Sequence, residues 1–248
     1  WRELIRAEVI VDRNSAARLA RMEETDFDAD GATELVFSAP QYHAVLKPAD
    51  GATLAALDFR PPGVTLINSM MRRREAYHVR LAKASAGGAG GVASIHEQTR
   101  VKEPGLERFL QYDRWARHAF RLMLFDPSRT AAQYATLQLG EDASFAGGDY
   151  AVGKAEASGA ELVREDTLFG AYGAVGMPRV SVTKRFTLGP AAKGFEVTCE
   201  IGLQFEEPPA QPLSVGLESV VNLLAPDEPD RFFETPEGRQ PLRWSGVA

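Results

Sequence analysis

The sequence predicts a mostly β protein: a large antiparallel β-sandwich with a short N-terminal helical segment. Three observations predict it. Short runs of alternating apolar and polar residues recur from residue 33 onward, split by Pro, Gly and Asp. The second half of the chain repeats that texture in longer runs, at the spacing of an antiparallel sandwich. One cysteine in 248 residues excludes an intrachain disulfide, so the fold must be held by its core, and a 44% hydrophobic composition can supply one. This length fits one large domain or two small ones, and all-β domains often reach it as a single unit.

The elements follow in order. Residues 1–24, WRELIRAEVIVDRNSAARLARMEE, are rich in Ala, Arg, Leu and Glu and suit a helix, although VIVD is β-like. We therefore expect a lead-in over 1–25 and a sandwich over 26–248. TELVFSAP, HAVLKP and ATLAALDFR read as strands, with PADGA at 48–52 turning the chain between two of them. ASAGGAGG at 84–91 reads as a linker rather than a phosphate-binding loop, because no Lys-Ser or Lys-Thr ends it and no clear helix follows. Residues 106–126, LERFLQYDRWARHAFRLMLFD, look helical by composition, although tertiary context could turn them into turns and a strand. YAVGKAEA, AELVREDTLFG, RVSVTKRFTLG, GFEVTCEIGLQF and LSVGLESVVNLL are strand-like. Alternation makes Cys199 a strand residue acting as a small hydrophobe.

Charge narrows the function. A net charge of -6 and a pI near 5.4 argue against nucleic-acid binding, which needs a basic surface. No apolar run approaches the roughly 18 residues of a membrane span, and no signal peptide is visible. The chain begins at Trp1 rather than Met, so we expect a piece of a longer protein, with the cytoplasm as its compartment.

Four clusters concentrate functional groups. In NSMMRRREAYH, Arg72, Arg73 and Arg74 precede Glu75, Tyr77 and His78. Guanidinium forks suit carboxylates and sugar hydroxyls, a tyrosine face suits a pyranose, and histidine donates or accepts near neutral pH. The preferred reading is a salt-bridged junction, with Glu75 satisfying one arginine. In DFDADGATE, Asp26, Asp28 and Asp30 alternate ahead of Glu34, a spacing that suits calcium. The helix-loop-helix calcium pattern needs a glutamate where this chain has Phe37, so the match is partial. The plain reading there is a solvated acidic turn. QYDRWARHAF offers Tyr112, Trp115 as a sugar platform, and Asp113 four residues before Arg117, a spacing for an ion pair. SIHE and VGLESVVNLL hold His96, Glu97, Glu218 and Asn222, more often hydrogen-bonded structure than chemistry. The aromatic residues of DRFF at 230–233 and Trp244 read as packing.

Taken in order, DFDADGATEL, VLKPADGATLAALDFRP, NSMMRRREAYH, SIHE, YDRWARHAF and VGLESVVNLL resemble the C-terminal domain of the α-amylase/4-α-glucanotransferase enzymes of glycoside hydrolase family 57. The resemblance covers most of the chain. It implies a galactose-mutarotase-like supersandwich behind a catalytic barrel, with the catalytic carboxylates on that barrel and none in this chain. It implies closing strands beyond LRWSGVA, so the sandwich is expected to be truncated there. The leading expectation is a non-catalytic accessory domain. Its partners would be the N-terminal catalytic barrel of the same polypeptide and an α-1,4-glucan. Arg72, Arg73, Arg74, Glu75, Tyr77, His78, His96 and Trp115 would face one or the other, with calcium on the acidic turn. The rivals are a stand-alone mutarotase or epimerase using His96 and Glu218 as acid and base, and a free-standing carbohydrate-binding module.

Overall fold

Period-two burial organises the chain into two facing sheets. The computed structural model describes residues 1–14, 20–79, 110–169, 178–223, 227–230 and 232–244. Helix α1 (Arg2–Asn14) leads into β1 (Arg21–Thr25), β2 (Glu34–Ser38), β3 (Tyr42–Lys47), β4 (Thr53–Phe59) and β5 (Val64–Ile67). Then come β6 (Ala119–Phe125), a short helix α2 (Ala131–Ala135), β7 (Ala151–Glu156), β8 (Gly159–Thr167) and β9 (Arg179–Ala191). β10 (Gly194–Phe205), β11 (Ser214–Ser219), β12 (Phe232–Thr235) and β13 (Gly238–Pro241) close the described order.

The larger sheet runs β1-β2-β3-β4-β6-β11, with β5 paired onto β4; the smaller runs β10-β9-β8-β7; β12 and β13 form a separate hairpin. Every named pairing is antiparallel. The core lies between the two sheets. Leu35, Phe37, Ala44, Leu46, Leu54, Leu122 and Leu124 from the larger sheet pack with Leu162, Val180, Val182, Phe186 and Leu188 from the smaller. Each buried large apolar side chain contributes about 1.5–3 kcal/mol relative to exposure. β9 shows why a strand forms: Val180, Val182, Phe186 and Leu188 are buried at alternate positions, with Lys184 among them.

α1 packs through Ile5, and Asp12 at its far end accepts from Arg60 at 2.6 Å and Arg21 at 3.2 Å. The sheet begins at β1, inside the segment expected to be lead-in. Of the segment 106–126, residues 106–109 lie outside the described residues, and over the rest the expected helix is replaced. Residues 110–118 are largely irregular and Ala119–Phe125 is a strand. Leu122 and Leu124 join the core while Arg121 and Met123 face the other way, so only a two-residue period satisfies both faces. The glycine-rich stretch 84–91 lies outside the described residues. β10 and β11 form sheet edges. Val215 and Leu217 pair in register with core residues Leu124 and Leu122, yet are 55% and 52% exposed.

Candidate functional site

The face of β6 turned away from the core carries a polar cavity. Antiparallel register sets Glu218 opposite Arg121 and Gly216 opposite Met123. A Cβ at Gly216 would come within 2.7 Å of the Phe125 ring, which would then have to shift. α2 lies over this face. Thr130 starts it with a reciprocal capping box: its side chain accepts from the Gln133 amide at 3.3 Å, and its own amide donates to Gln133 Oε1 at 2.8 Å. That turn presents Tyr134, whose hydroxyl donates to the Glu218 carboxylate. The cavity beneath is about 250 Å³, and its lining includes Arg114, Trp115, Arg117, Tyr134, Leu139 and Glu218.

One wall is an ion-pair knot. Asp113, 6% exposed at its side chain, accepts from Arg72 at 2.6 Å and from Arg117 at 2.9 Å. The Arg72 backbone amide adds a 2.6 Å bond, and the Asp113 amide returns one to the Arg72 carbonyl at 2.9 Å. Burial alone would raise the Asp113 pKa, but the hydrogen bonds from Arg117 and Arg72 overturn this and hold the carboxyl well below its ordinary range. The arginine triplet is therefore divided. Arg72 pairs with Asp113 rather than Glu75 while its side chain stays part-exposed. Arg73 and Arg74 are exposed and make no ion pair among the described residues. His78 accepts from the Glu75 amide at 3.1 Å through Nδ1, and its ring meets Tyr77 edge-on and Tyr112 at a tilt, at centroid distances of 4.2 and 5.5 Å. Trp115 lies under the guanidinium groups of Arg114 and Arg121, at 4.7 and 5.8 Å from its centroid. Its ring is thus used within the protein, and Tyr134, 43% exposed, is the more open aromatic of the lining.

The remaining expected residues lie elsewhere. His96 falls outside the described residues, so its pairing with Glu218 is not on view. Asn222 is structural: its side-chain oxygen accepts from Ser69 at 2.8 Å and its backbone N–H donates to the Leu66 carbonyl at 2.7 Å. It lies past the end of β11, the strand that carries Glu218. In the acidic turn, Asp26, Asp28 and Glu34 offer oxygens within 4.8 Å of one another. Lys47 already brings a cation there, with Nζ 2.6 Å from Asp28, 2.7 Å from Asp30 and 3.3 Å from Glu34. Asp26 accepts instead from the amides of Asp30 and Gly31, both at 3.1 Å. Calcium takes six to eight oxygens and would have to displace Lys47. The donor set fits a lysine-held loop better than a calcium site.

Sequence reasoning missed a second set of buried polar groups. Arg121, fully buried, donates to Asp50 at 2.9 and 2.8 Å, to the Ala116 carbonyl at 3.0 Å and to the Ala146 carbonyl. His118 Nδ1 lies 3.1 Å from Asp50. Burial would raise Asp50, but His118 and Arg121 hold it well below the usual carboxylate range. Glu141 is pushed up to about 7 by burial, even though it accepts from the Phe145 and Ala146 amides at 2.9 and 3.0 Å. Tyr134 had no signal in the sequence beyond being an aromatic beside a helix cap.

A two-sheet antiparallel sandwich with a polar, aromatic cavity on the outer face of one sheet is the class this chain defines. The chain belongs to the family described as alpha-amylase/4-alpha-glucanotransferase, C-terminal, whose profile matches residues 26–243. It is 29% identical over 249 residues to alpha-amylase 1 of Dictyoglomus thermophilum, a match covering 100% of this chain and 34% of that protein. It is 30% identical over 151 residues to the 4-alpha-glucanotransferase of Thermococcus kodakarensis, covering 60% of this chain and 22% of that one. The crystal structure of the 4-alpha-glucanotransferase from Thermococcus litoralis shares the fold, with a TM-score of 0.60 at 21% identity, over 82% of this chain and 27% of that one. The chain thus spans about a third or less of the length of these relatives. No helix among the described residues is long and apolar enough to cross a membrane.

Proposed function

We propose that this chain is a non-catalytic accessory domain of an α-glucan-processing enzyme, supporting a catalytic barrel in the same polypeptide and offering its cavity to the glucan. Family membership supports the first part, because the relatives of this domain extend far beyond it. The cavity supports the second: Tyr134 supplies an aromatic face, Glu218 an acceptor and Arg114 a donor, the groups that recognise sugar hydroxyls and pyranose faces. The lining also argues against chemistry. Glycoside cleavage uses two carboxylates with separate acid and base roles. Here Asp113 is locked as an anion between two arginines, and Glu218 already accepts from Tyr134. Arg73 and Arg74, exposed beside the ion-pair knot, are the polar groups proposed to meet the barrel.

Calorimetric titration of the chain with maltoheptaose tests the glucan contact. Saturable heat that disappears in Tyr134→Ala is the expected outcome. Absence of heat overturns the glucan contact. A polarimetric assay on the same sample addresses the mutarotase reading, and accelerated anomer interconversion would replace the non-catalytic assignment.

A further inference from the structure

Helix α1 carries two apolar faces, and this domain covers one of them. Ile5, 2% exposed, and the half-buried Val9 lie four residues apart and pack inward. Asp12, one turn further on, fastens the same face to Arg60 and Arg21. A second apolar stripe, a ridge away from the packed face, carries Leu4, Ala7 and Val11 at i, i+3 and i+7, with Ile10 on one flank and Trp1, just ahead of the helix, on the other. Trp1, Leu4, Ile10 and Val11 are 68%, 59%, 58% and 66% exposed. A surface helix normally turns polar residues outward, and a contiguous exposed apolar row marks a contact with something else. The helix is anchored, so the ridge is held in place rather than free to fold back.

We propose that this ridge of α1 seats the module that precedes the domain in the same polypeptide; this rests on the reading of the chain as a C-terminal accessory domain. Two observations select that occupant. The Dictyoglomus relative aligns with the whole of this chain over only 34% of its own length, and the matching family is a C-terminal one, which leaves most of such a polypeptide ahead of α1. The polar side chains of α1 balance, with Arg2, Arg6 and Arg13 against Glu3, Glu8 and Asp12, whereas a helix that lies on an anionic membrane is enriched in Lys and Arg. The partner face is therefore apolar, and distinct from the charged patch of Arg73 and Arg74.

Radical footprinting of the complete polypeptide that ends in this domain tests the proposal without altering the fold. Leu4, Ile10 and Val11 are expected to be modified at least tenfold more slowly than their exposure in this domain alone would allow, while Val152, 41% exposed on β7, reacts at its normal rate. Modification of the ridge at the exposed rate overturns the proposal. Protection that vanishes on dilution also overturns it, in favour of a second copy as occupant. As a second measurement, Leu4→Glu with Val11→Glu in the complete polypeptide should split its calorimetric unfolding into two separate transitions, whereas Arg73→Ala with Arg74→Ala should leave the α1 contact intact. An unchanged calorimetric profile in the Leu4 and Val11 variant counts against the proposal. A complete polypeptide without activity on α-glucans removes the accessory-domain reading itself. An active one with an unprotected ridge removes this inference alone.

Discussion

Asp113 shows how one residue can be legible in part. Its partner Arg117 stands four positions away, a spacing the sequence displays; its partner Arg72 is 41 positions away and becomes visible only once the chain has folded. The same holds for Lys47 and its carboxylates, 17 and 19 positions apart. The knot has a pH signature. Its folded pKa is depressed, so its contribution is present above the unfolded value of about 3.9 and is lost as pH falls through the folded value. Arg72 and Arg117 keep 43% and 34% of their side chains in water, so Asp113→Asn is expected to cost roughly 1–3 kcal/mol at pH 7, less than breaking a fully buried pair. Urea unfolding should show that cost at pH 7 and a smaller one at pH 3; an equal cost at both would mean the ion pairs contribute nothing. Glu141 has the opposite sign. Burial raises it from 4.5 to about 7, so the folded state holds the proton more tightly between those values and stability falls as pH rises through them. Glu141→Gln keeps an acceptor for the Phe145 and Ala146 amides and removes the buried charge. It should melt above the parent at pH 8 and level with it near pH 5. A lower midpoint at pH 8 would show that the anion is better accommodated than its burial implies.

At the scale of elements, alternation was readable wherever one face is apolar and the other is not. β9 and β10 were legible because their inward residues alternate with polar ones along twelve paired positions. β6 was not, because Arg121 and Met123 on its outer face are buried too, which blurs the two-residue period, and Ala, Leu, Met and Arg are good helix formers. β1 was hidden for the reverse reason: Arg21–Thr25 is polar and largely exposed, and its strand state comes from pairing with β2. The turn between β3 and β4 was legible as a turn but not as a junction. Gly51 sits at φ +72°, and a Cβ there would lie 2.2 Å from the Ala146 carbonyl oxygen. Gly51→Ala must therefore displace backbone, at a cost of about 3 kcal/mol in denaturant unfolding. Gly31, at φ +89° with nothing within 4 Å of its Cβ position, supplies the comparison. Gly31→Ala should cost only the positive-φ penalty of about 1 kcal/mol. Equal losses at the two sites would mean that the close approach to Ala146 carries no energy.

Across the whole molecule, that same turn is where the two sheets are tied together. Lys184 projects from β9 of the smaller sheet and donates to the carbonyls of Gly51 at 2.6 Å, Ala52 at 3.3 Å and Phe120 at 2.7 Å, all on the larger-sheet side. Three carbonyl dipoles match the three hydrogens of an ammonium, but no carboxylate is among its hydrogen-bond partners, and burial pushes the amine down from 10.5 to about 7. Arg121, itself fully buried, lowers it further, while Asp50, Glu141 and Cys199 pull the other way. The unfolded chain keeps its proton up to 10.5, so above pH 7 it binds more protons here than the folded chain does. Stability therefore rises with pH from 7, by at most about 1.4 kcal/mol per unit. Cys199 limits the upper end: burial raises it from 9.0 to about 11, so above pH 9 it works in the opposite direction. The Glu141 window closes near pH 7, where the Lys184 window opens. The two groups together give a shallow stability minimum near neutrality. Unfolding free energies measured at unit intervals should fall from pH 5 to 7 and recover from 7 to 9. Lys184→Met should abolish the recovery while Glu141→Gln abolishes the fall. A recovery that persists in Lys184→Met would assign the alkaline limb to another group and leave Lys184 as a permanently charged tie between the sheets.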